Sequence, residues 1–299
     1  MKRTALLLVA LFILPGTWMA VSAQQITTTP ATSNPQMAVD SQEIINVYKR
    51  IHIPEKKPIP YVPIREADVM WSKDIWRVID LRQKMNLPLY YPKSPLGQRM
   101  NLFSLIMHGI HENNLHAYKD DKYKLFSTET QIGEKEIVEK LGADTMFSGT
   151  PNEKIILRSD RVLQILVKEK WFFDKQHSTM RVRIVGMAPI MVYHQQLKDA
   201  NGNITISPEV QRTILFWIYF PEYRDLFARY EVFNPNNDSQ DLSFDDLFMQ
   251  RRFSSFIFGE SNVHDNRYLN DYLTGDDILY EADKIKQKIF EFEHDLWEY

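Results

Sequence analysis

The chain has 299 residues and no cysteine, and this one absence excludes several kinds of chemistry. Without cysteine there is no disulfide, no thiolate-bound metal and no cysteine nucleophile. We also expect no lipoprotein-type anchor, because that lipid is attached to a cysteine at the start of the mature chain. If the protein sits at a membrane, the sequence predicts that a partner holds it there.

The chain also has few glycines and no excess of basic over acidic residues. The chain has 10 glycines, and it contains neither a glycine-rich phosphate loop nor a G-x-S-x-G nucleophile elbow. Lysine and arginine total 36 against 39 aspartates and glutamates, so the formal net charge is −3. With no basic stripe and no arginine-rich helix, nothing indicates nucleic acid as a partner. We find no convincing catalytic set, and we predict a protein that is not an enzyme and needs no cofactor.

The chain does have the material for a folded core, since 44% of its residues are hydrophobic and 12% are aromatic. Its longest apolar run, Ala5–Leu14, follows Lys2 and Arg3 and precedes small residues that end at Ala23. This pattern predicts a signal peptide over residues 1–23 and a mature chain that starts at Gln24. As a helix the run would span roughly 15 Å, against about 30 Å for the hydrocarbon core of a bilayer, which argues against an uncleaved anchor.

Residues 24–63 precede the predicted core. Gln24–Ser41 is rich in Thr, Gln, Pro, Ala and Ser and offers little to bury, so we expect a disordered tether. Ile51–Pro63 holds four prolines, which favour an extended arm. The arm is either a strap across a neighbouring subunit or a simple spacer. For the strap, the candidate interface residues are Ile59, Tyr61 and Val62.

The first half of the core, residues 64–150, begins with an apolar pattern at helical spacing within Arg65–Pro92. This pattern predicts a helix that ends near Pro88, followed by a short strand at Leu89–Tyr91. The remaining predicted elements of this half are a helix at Asn101–Asn114, a hairpin at Leu115–Phe126, a short helix at Gly133–Leu141 and a loop at Gly142–Asn152.

The second half, residues 151–275, contains the most strand-like run in the chain, Thr213–Phe220, which we expect to be a central strand. An Asn-Gly turn within residues 199–203 predicts a hairpin. The other predicted elements are helices at Ser159–Lys175, Glu222–Ala228 and Ser243–Phe258 and strands at Thr179–Val192 and Tyr230–Phe233. The fold class is therefore α+β, with short helices and mainly antiparallel strands in two packed halves.

Residues 276–299 form a predicted amphipathic helix with an a/d seam of apolar residues. The seam is shorter than an independent coiled coil needs, which favours docking on the protein's own body. The alternative is a contact between subunits. For that contact, the candidate interface residues are Ile285, Ile289, Phe292, Leu296 and Trp297.

Two polar clusters imitate metal sites without matching a metal motif. The first cluster is His108, His111, Glu112 and His116, whose order fits no zinc motif and suits a helix terminus. The second is Asn234, Asn236, Asp238 and Asp245, which departs from the calcium loop at positions 1, 6 and 12. Ser243 with Asp246 is a better-formed helix N-cap, so we predict no metal at either cluster.

Three acidic pairs leave an enzymatic alternative open. Asp120-Asp121, Asp245-Asp246 and Asp276-Asp277 are neighbours in sequence, whereas catalytic carboxylates of a glycosidase must face each other across a sugar. Turns and helix caps explain them more simply. The alternative to a structural protein is a periplasmic carbohydrate-active or peptidoglycan-processing enzyme, which would require convergent carboxylates in a deep cleft.

The runs READVMWS, IWRVIDLR and PLYYP, all within Arg65–Pro92, resemble the GldN/PorN family. The resemblance extends from about Tyr48 to about Gly259. It implies a periplasmic ring subunit of the type IX secretion and gliding-motility machinery of Bacteroidetes. The implied partners are a PorK/GldK-like outer-membrane lipoprotein, which would supply the anchor, and a PorM/GldM-like shaft protein that spans the periplasm from the inner membrane. The implied location is the inner face of the outer membrane.

Overall fold

The computed structural model describes residues 55–96, 99–121, 124–141, 161–198, 204–234, 237 and 242–296. Several predictions therefore lie outside the described residues. These are the signal peptide, the tether, the first part of the arm, the loop at Gly142–Asn152 with the boundary between the halves, and the turn at 199–203. Within Arg50–Tyr299 the chain forms one compact unit.

The central feature of the described chain is an eight-stranded, mainly antiparallel sheet, and the predicted α+β class is confirmed. The strand order is β10-β1-β4-β5-β7-β2-β3, with β6 paired to β5. Two further short strands, β8 and β9, pair with each other. The strands are β1 (Val69–Asp80), β2 (Ala117–Tyr118), β3 (Gln131–Ile132), β4 (Val162–Asp174), β5 (Thr179–Lys198), β6 (Ile204–Ile214), β7 (Trp217–Tyr219), β8 (Glu231–Val232), β9 (Leu242–Ser243) and β10 (Phe256–Glu260).

Six helices accompany the sheet in the described chain. They are α1 (Leu87–Tyr90), α2 (Leu102–Glu112), α3 (Glu134–Lys140), α4 (Phe220–Arg229), α5 (Phe244–Met249) and α6 (Asp277–Asp295). The predictions of α2, α3, α4 and α6, and of strands at β5 and β8, are confirmed. Asn101 caps α2 by accepting a hydrogen bond from the Ser104 amide at 2.7 Å, which fixes where that helix begins.

The predicted helix within Arg65–Pro92 is wrong, because most of that stretch forms β1. Trp76 and Val78 lie in a cluster on one face of the sheet, whereas Ile79 lies in the helix-covered core on the other. A strand that is buried on both faces is apolar at positions that also satisfy helical spacing. The predicted strand at Leu89–Tyr91 is also wrong, since α1 ends at Tyr90.

The predicted helix at Ser159–Lys175 is wrong for the same reason. Its residues form β4, which pairs with β1 on one side and β5 on the other. The predicted helix at Ser243–Phe258 is confirmed only over α5, and its last residues belong to β10 instead. Thr213–Phe220 is interrupted after Ile214, so it supplies the end of β6 and then β7. Ala117–Tyr118 pairs with Gln131–Ile132 rather than within a hairpin at Leu115–Phe126.

The core has layers on both sides of the sheet. Helices α2, α4 and α5 cover one face, where Phe216, Phe220 and Phe227 are fully buried. Trp76 and Trp217 lie on the opposite face, beside partly buried aromatic side chains from the connecting loops. The sheet combines strands from residues 64–150 with strands from residues 151–275, so the two predicted halves share one sheet.

Candidate interaction surfaces

The described part of the proline-rich arm lies against the protein's own body. Arg224, in α4, donates from Nη2 to the carbonyl oxygen of Ile59 at 2.7 Å, and Arg183, in β5, donates to the carbonyl oxygen of Val62. The ring of Tyr61 contacts both cations, with its centroid 4.3 Å from Arg224 Cζ and 5.0 Å from Arg183 Cζ. The Ile59 and Val62 side chains are 74% and 52% exposed. The arm is therefore bound through its backbone and Tyr61.

A buried ion pair positions the arginine that holds the arm. Arg224 donates from Nε to Oδ1 of Asp245 at 2.9 Å and from Nη2 to Oδ2 at 3.0 Å, and both side chains are almost fully buried. Burial lowers the pKa of Arg224, but the hydrogen bonds to Asp245 outweigh it and leave that pKa raised. Burial also raises the pKa of Tyr61. This bidentate geometry holds the guanidinium plane under the Tyr61 ring.

A second contact attaches the arm to the start of α5. Lys56 donates to Oδ2 of Asp246. The same carboxylate accepts from the Ser243 amide at 3.1 Å, and the Ser243 hydroxyl accepts from the Asp246 amide at 3.2 Å. This is a capping box, so the predicted N-cap is confirmed. Burial raises the pKa of Asp246, but hydrogen bonds from Lys56 and Ser243 outweigh burial and hold that pKa below its usual value.

The seam of α6 packs on the protein's own body. Ile285 and Ile289 are buried in a cluster with Ile75 of β1 and Ile257 of β10. Phe292 stacks on Trp71, with ring centroids 4.9 Å apart. The sequence left two alternatives for this helix. The described side chains agree with docking on the protein's own body rather than with a contact between subunits. Leu296 is half-buried, and Trp297 lies outside the described residues.

His108 and His111, in α2, and His116, in the loop after α2, contact different partners rather than one another. Their nearest partners are the Tyr230 hydroxyl for His108 (2.7 Å), Glu134 for His111 (3.1 Å) and Glu222 for His116 (2.6 Å). These contacts join α2 to α3 and to the residue after α4, and they join the loop after α2 to α4 itself. Within the described part of the chain, no three histidine or acidic side chains converge as metal ligands would.

The calcium-like cluster and the acidic pairs are likewise divided among separate contacts. Asn236 and Asp238 lie outside the described residues. Asp245 is bound by Arg224, whereas its neighbour Asp246 caps α5. Asp120 accepts a hydrogen bond from the indole of Trp217 at 2.8 Å. Asp245, Asp246 and Asp120 are thus engaged in separate structural contacts, whereas Asp276 and Asp277 at the start of α6 are exposed.

An open, mainly apolar groove of about 920 Å³ lies between α1, the loop that follows it, and the ends of β8, β9 and α5. We call it the basic groove. Four of its lining side chains are apolar and exposed, namely Met85, Tyr91, Leu96 and Phe233. The cations Lys84, Arg99 and Arg252 line it, and none of the described lining residues is acidic.

Sequence reasoning missed the basic groove because its walls come from distant parts of the chain. The PLYYP run supplies Pro88, Tyr91 and Pro92, while Phe233 and Leu247 come from the second half. The available signal was that apolar residues at 85–96 follow a turn and have no periodic pattern. Such residues often line a surface feature rather than an element's buried face.

The similarity to a known family covers nearly the whole predicted core. The model of a family described as "Gliding motility associated protein GldN" matches residues 64–298. The match continues through α6, beyond the point near Gly259 where the resemblance in the sequence was expected to end. A search of curated proteins found no match to the chain. Within the described residues, no helix has both the length and the hydrophobicity to cross a bilayer.

Proposed function

The chain belongs to the GldN family of gliding-motility-associated proteins, and from that membership we propose that it is a non-enzymatic structural subunit of the type IX secretion and gliding-motility machinery. It forms a periplasmic ring with a PorK/GldK-like outer-membrane lipoprotein and contacts a PorM/GldM-like shaft protein. The observation that carries the proposal is the family match over residues 64–298.

The surface of the protein supports an assembly role. Four exposed apolar side chains line the basic groove together, and Leu96 among them is 68% exposed. A contiguous apolar surface of this kind is typical of a protein-binding site. Of the acidic residues that an enzymatic alternative would use, Asp245 is in a buried ion pair, Asp246 caps a helix and Asp120 accepts from an indole.

The location is part of the same proposal. The predicted signal peptide supports export, and a sequence without cysteine suits a subunit that a lipoprotein partner holds beneath the outer membrane. Contacts to the shaft protein would then face the periplasm.

The experiment is to purify the mature protein alone and together with the candidate lipoprotein. Mass measurement and negative-stain imaging should show large ring-shaped particles that contain both proteins. A mature protein that stays monomeric and does not bind the lipoprotein would contradict the proposal. Release of soluble fragments from peptidoglycan by the purified protein would favour the enzymatic alternative instead.

A further inference from the structure

The basic groove combines exposed apolar side chains with three cations, two of which form no ion pair within the described part of the chain. Arg99 is bound by Glu231, with Nη2 to Oε1 at 2.7 Å. By contrast, Lys84 and Arg252 are exposed and form no ion pair among the described residues. An occupant that brought both apolar side chains and carboxylates would match this surface in shape and in charge.

The same chain carries a surface of the opposite character at the start of α6. Leu279 and Tyr280 are 53% and 74% exposed. They lie among the exposed carboxylates of Asp276, Asp277 and Asp283, none of which forms an ion pair within the described chain. We call residues 276–283 the acidic patch. Its aromatic and leucine side chains could enter an apolar groove while its carboxylates meet cations at the rim.

We propose that the basic groove of one copy of this protein receives the acidic patch of a second copy. This inference rests on the proposed function, since it gives the contact by which like subunits assemble. The groove and the patch are different surfaces, so each copy uses both and the contact is head-to-tail. Contacts of this kind continue from copy to copy and produce either a closed ring or an open filament.

The docking of α6 makes the patch suitable for this contact. Ile285 and Ile289 fix the middle of the helix on the sheet, so the first turns are presented on a rigid support. A rigid support lowers the conformational entropy that association must overcome. Because the contact pairs unlike charges at an exposed rim, assembly should weaken as salt is raised.

The test uses charge reversals in the full mature chain. Arg252→Glu changes the groove, and Asp283→Lys changes the patch. Lys135→Glu and Glu139→Lys, both at exposed positions of α3, are matched controls. We expect each surface variant to weaken self-association at least tenfold, as measured by sedimentation velocity, whereas the controls behave as the parent. Lys84→Glu is a second groove variant, and thermal melting verifies that each variant is folded.

Mixing the two surface variants gives the sharpest result. The intact groove of the Asp283→Lys copy can bind the intact patch of the Arg252→Glu copy, and the two reversed surfaces also pair unlike charges, so an equal mixture should restore long assemblies in which the two variants alternate. Combining both reversals in one chain should restore longer assemblies, because the charges are then exchanged across every contact. Single variants that assemble as the parent does, or a mixture that assembles no better than either variant alone, would overturn the proposal.

A parallel experiment with the lipoprotein separates this inference from the proposed function. If the parent binds the lipoprotein and Arg252→Glu forms normal rings with it, the head-to-tail contact is wrong while the function stands. If Arg252→Glu loses lipoprotein binding and the parent does not self-associate alone, the groove belongs to the lipoprotein, which also overturns the inference. Failure of the parent to bind the lipoprotein counts against the function itself.

Discussion

Arg251 contacts both carboxylate oxygens of Glu169, a side chain that is completely buried in β4. Nη1 lies 2.9 Å from Oε1, and Nη2 donates to Oε2 at 3.2 Å. The indole of Trp171 also donates to Oε2, at 2.9 Å. Glu169 pairs in register with Ile75, against which α6 packs, and the Arg251 cation and the Trp171 donor offset the cost of burying its charge there.

Removing the arginine should therefore be costly. We expect Arg251→Met to lower the free energy of unfolding by about 3 to 5 kcal/mol, because it leaves a buried carboxylate without its ion-pair partner. Lys170→Met is the control, since it breaks a half-exposed pair with Asp74 and should cost under about 1 kcal/mol. Urea denaturation measures both. Equal losses in the two variants would show that Arg251 does not stabilise Glu169.

The arm should depend on Tyr61 more than on its exposed neighbours. We expect Tyr61→Ala to speed tryptic cleavage after Lys56 several-fold, because contact with two guanidinium groups contributes about 0.5 to 2 kcal/mol each. Ile59→Ala removes a side chain that is 74% exposed and should leave the rate unchanged. Mass spectrometry identifies the peptide that begins at Lys57. No difference between the variants would mean that Tyr61 does not hold the arm.

The turn after β1 should make stability depend on pH. Hydrogen bonds from the Arg82 guanidinium hold the pKa of Asp80 below its usual value. A carboxyl whose pKa is lower in the folded state stabilises the protein above its unfolded pKa of about 3.9. That stabilisation is lost as pH falls through the folded pKa. The free energy of unfolding should thus decrease below about pH 5.

Replacing Arg82 tests the origin of this dependence. We expect Arg82→Met to be less stable at neutral pH by under about 1 kcal/mol, since Arg82 is largely exposed. The difference from the parent should vanish at acid pH. Lys135→Met, which removes an exposed charge without an ion pair in the described chain, should show no such convergence. Denaturation curves at a series of pH values provide the comparison, and a gap that persists in acid would contradict the assignment.

The buried seam of α6 is a requirement of the fold. We expect Ile285→Asp to lower the free energy of unfolding by more than about 3 kcal/mol, because it removes a core side chain and buries a carboxylate. Phe290→Asp changes a residue that is 63% exposed and should stay within about 0.5 kcal/mol of the parent. Thermal melting compares them. A stable Ile285→Asp variant that fails only in assembly would restore the subunit-contact hypothesis.

Much of the fold could be predicted where an element has one buried face. Helix α6 shows this, because its buried residues are Ala282, Ile285 and Ile289 and the polar residues on its outer face made the period of 3.6 visible. The central strands could not be predicted this way. In β1, Ile75 and Trp76 are both buried although their side chains point to opposite faces, so alternation disappears. Strands that are buried on both faces of the sheet therefore show no alternation of apolar and polar residues in the sequence.

The interaction surfaces also differ in whether they could be predicted from the sequence. The arm and its candidate interface residues Ile59, Tyr61 and Val62 could be predicted from local composition, since prolines next to apolar residues form a continuous stretch. The arginines that bind the arm, and the walls of the basic groove, are brought together by tertiary structure. No local pattern connects Tyr91 with Phe233, so only the folded chain could identify that surface.

The pairing of β1 with both β4 and β10 has a consequence for how the chain acquires its structure. β1 is synthesised before the other strands of the sheet. Its partners β4 and β10 are synthesised much later, and β10 lies near the end of the chain. Until then, its apolar residues and open hydrogen-bonding edges are exposed to other chains. Folding should therefore be slow and vulnerable to aggregation during synthesis and export. A carrier that binds the unfinished chain would protect β1 until β10 arrives.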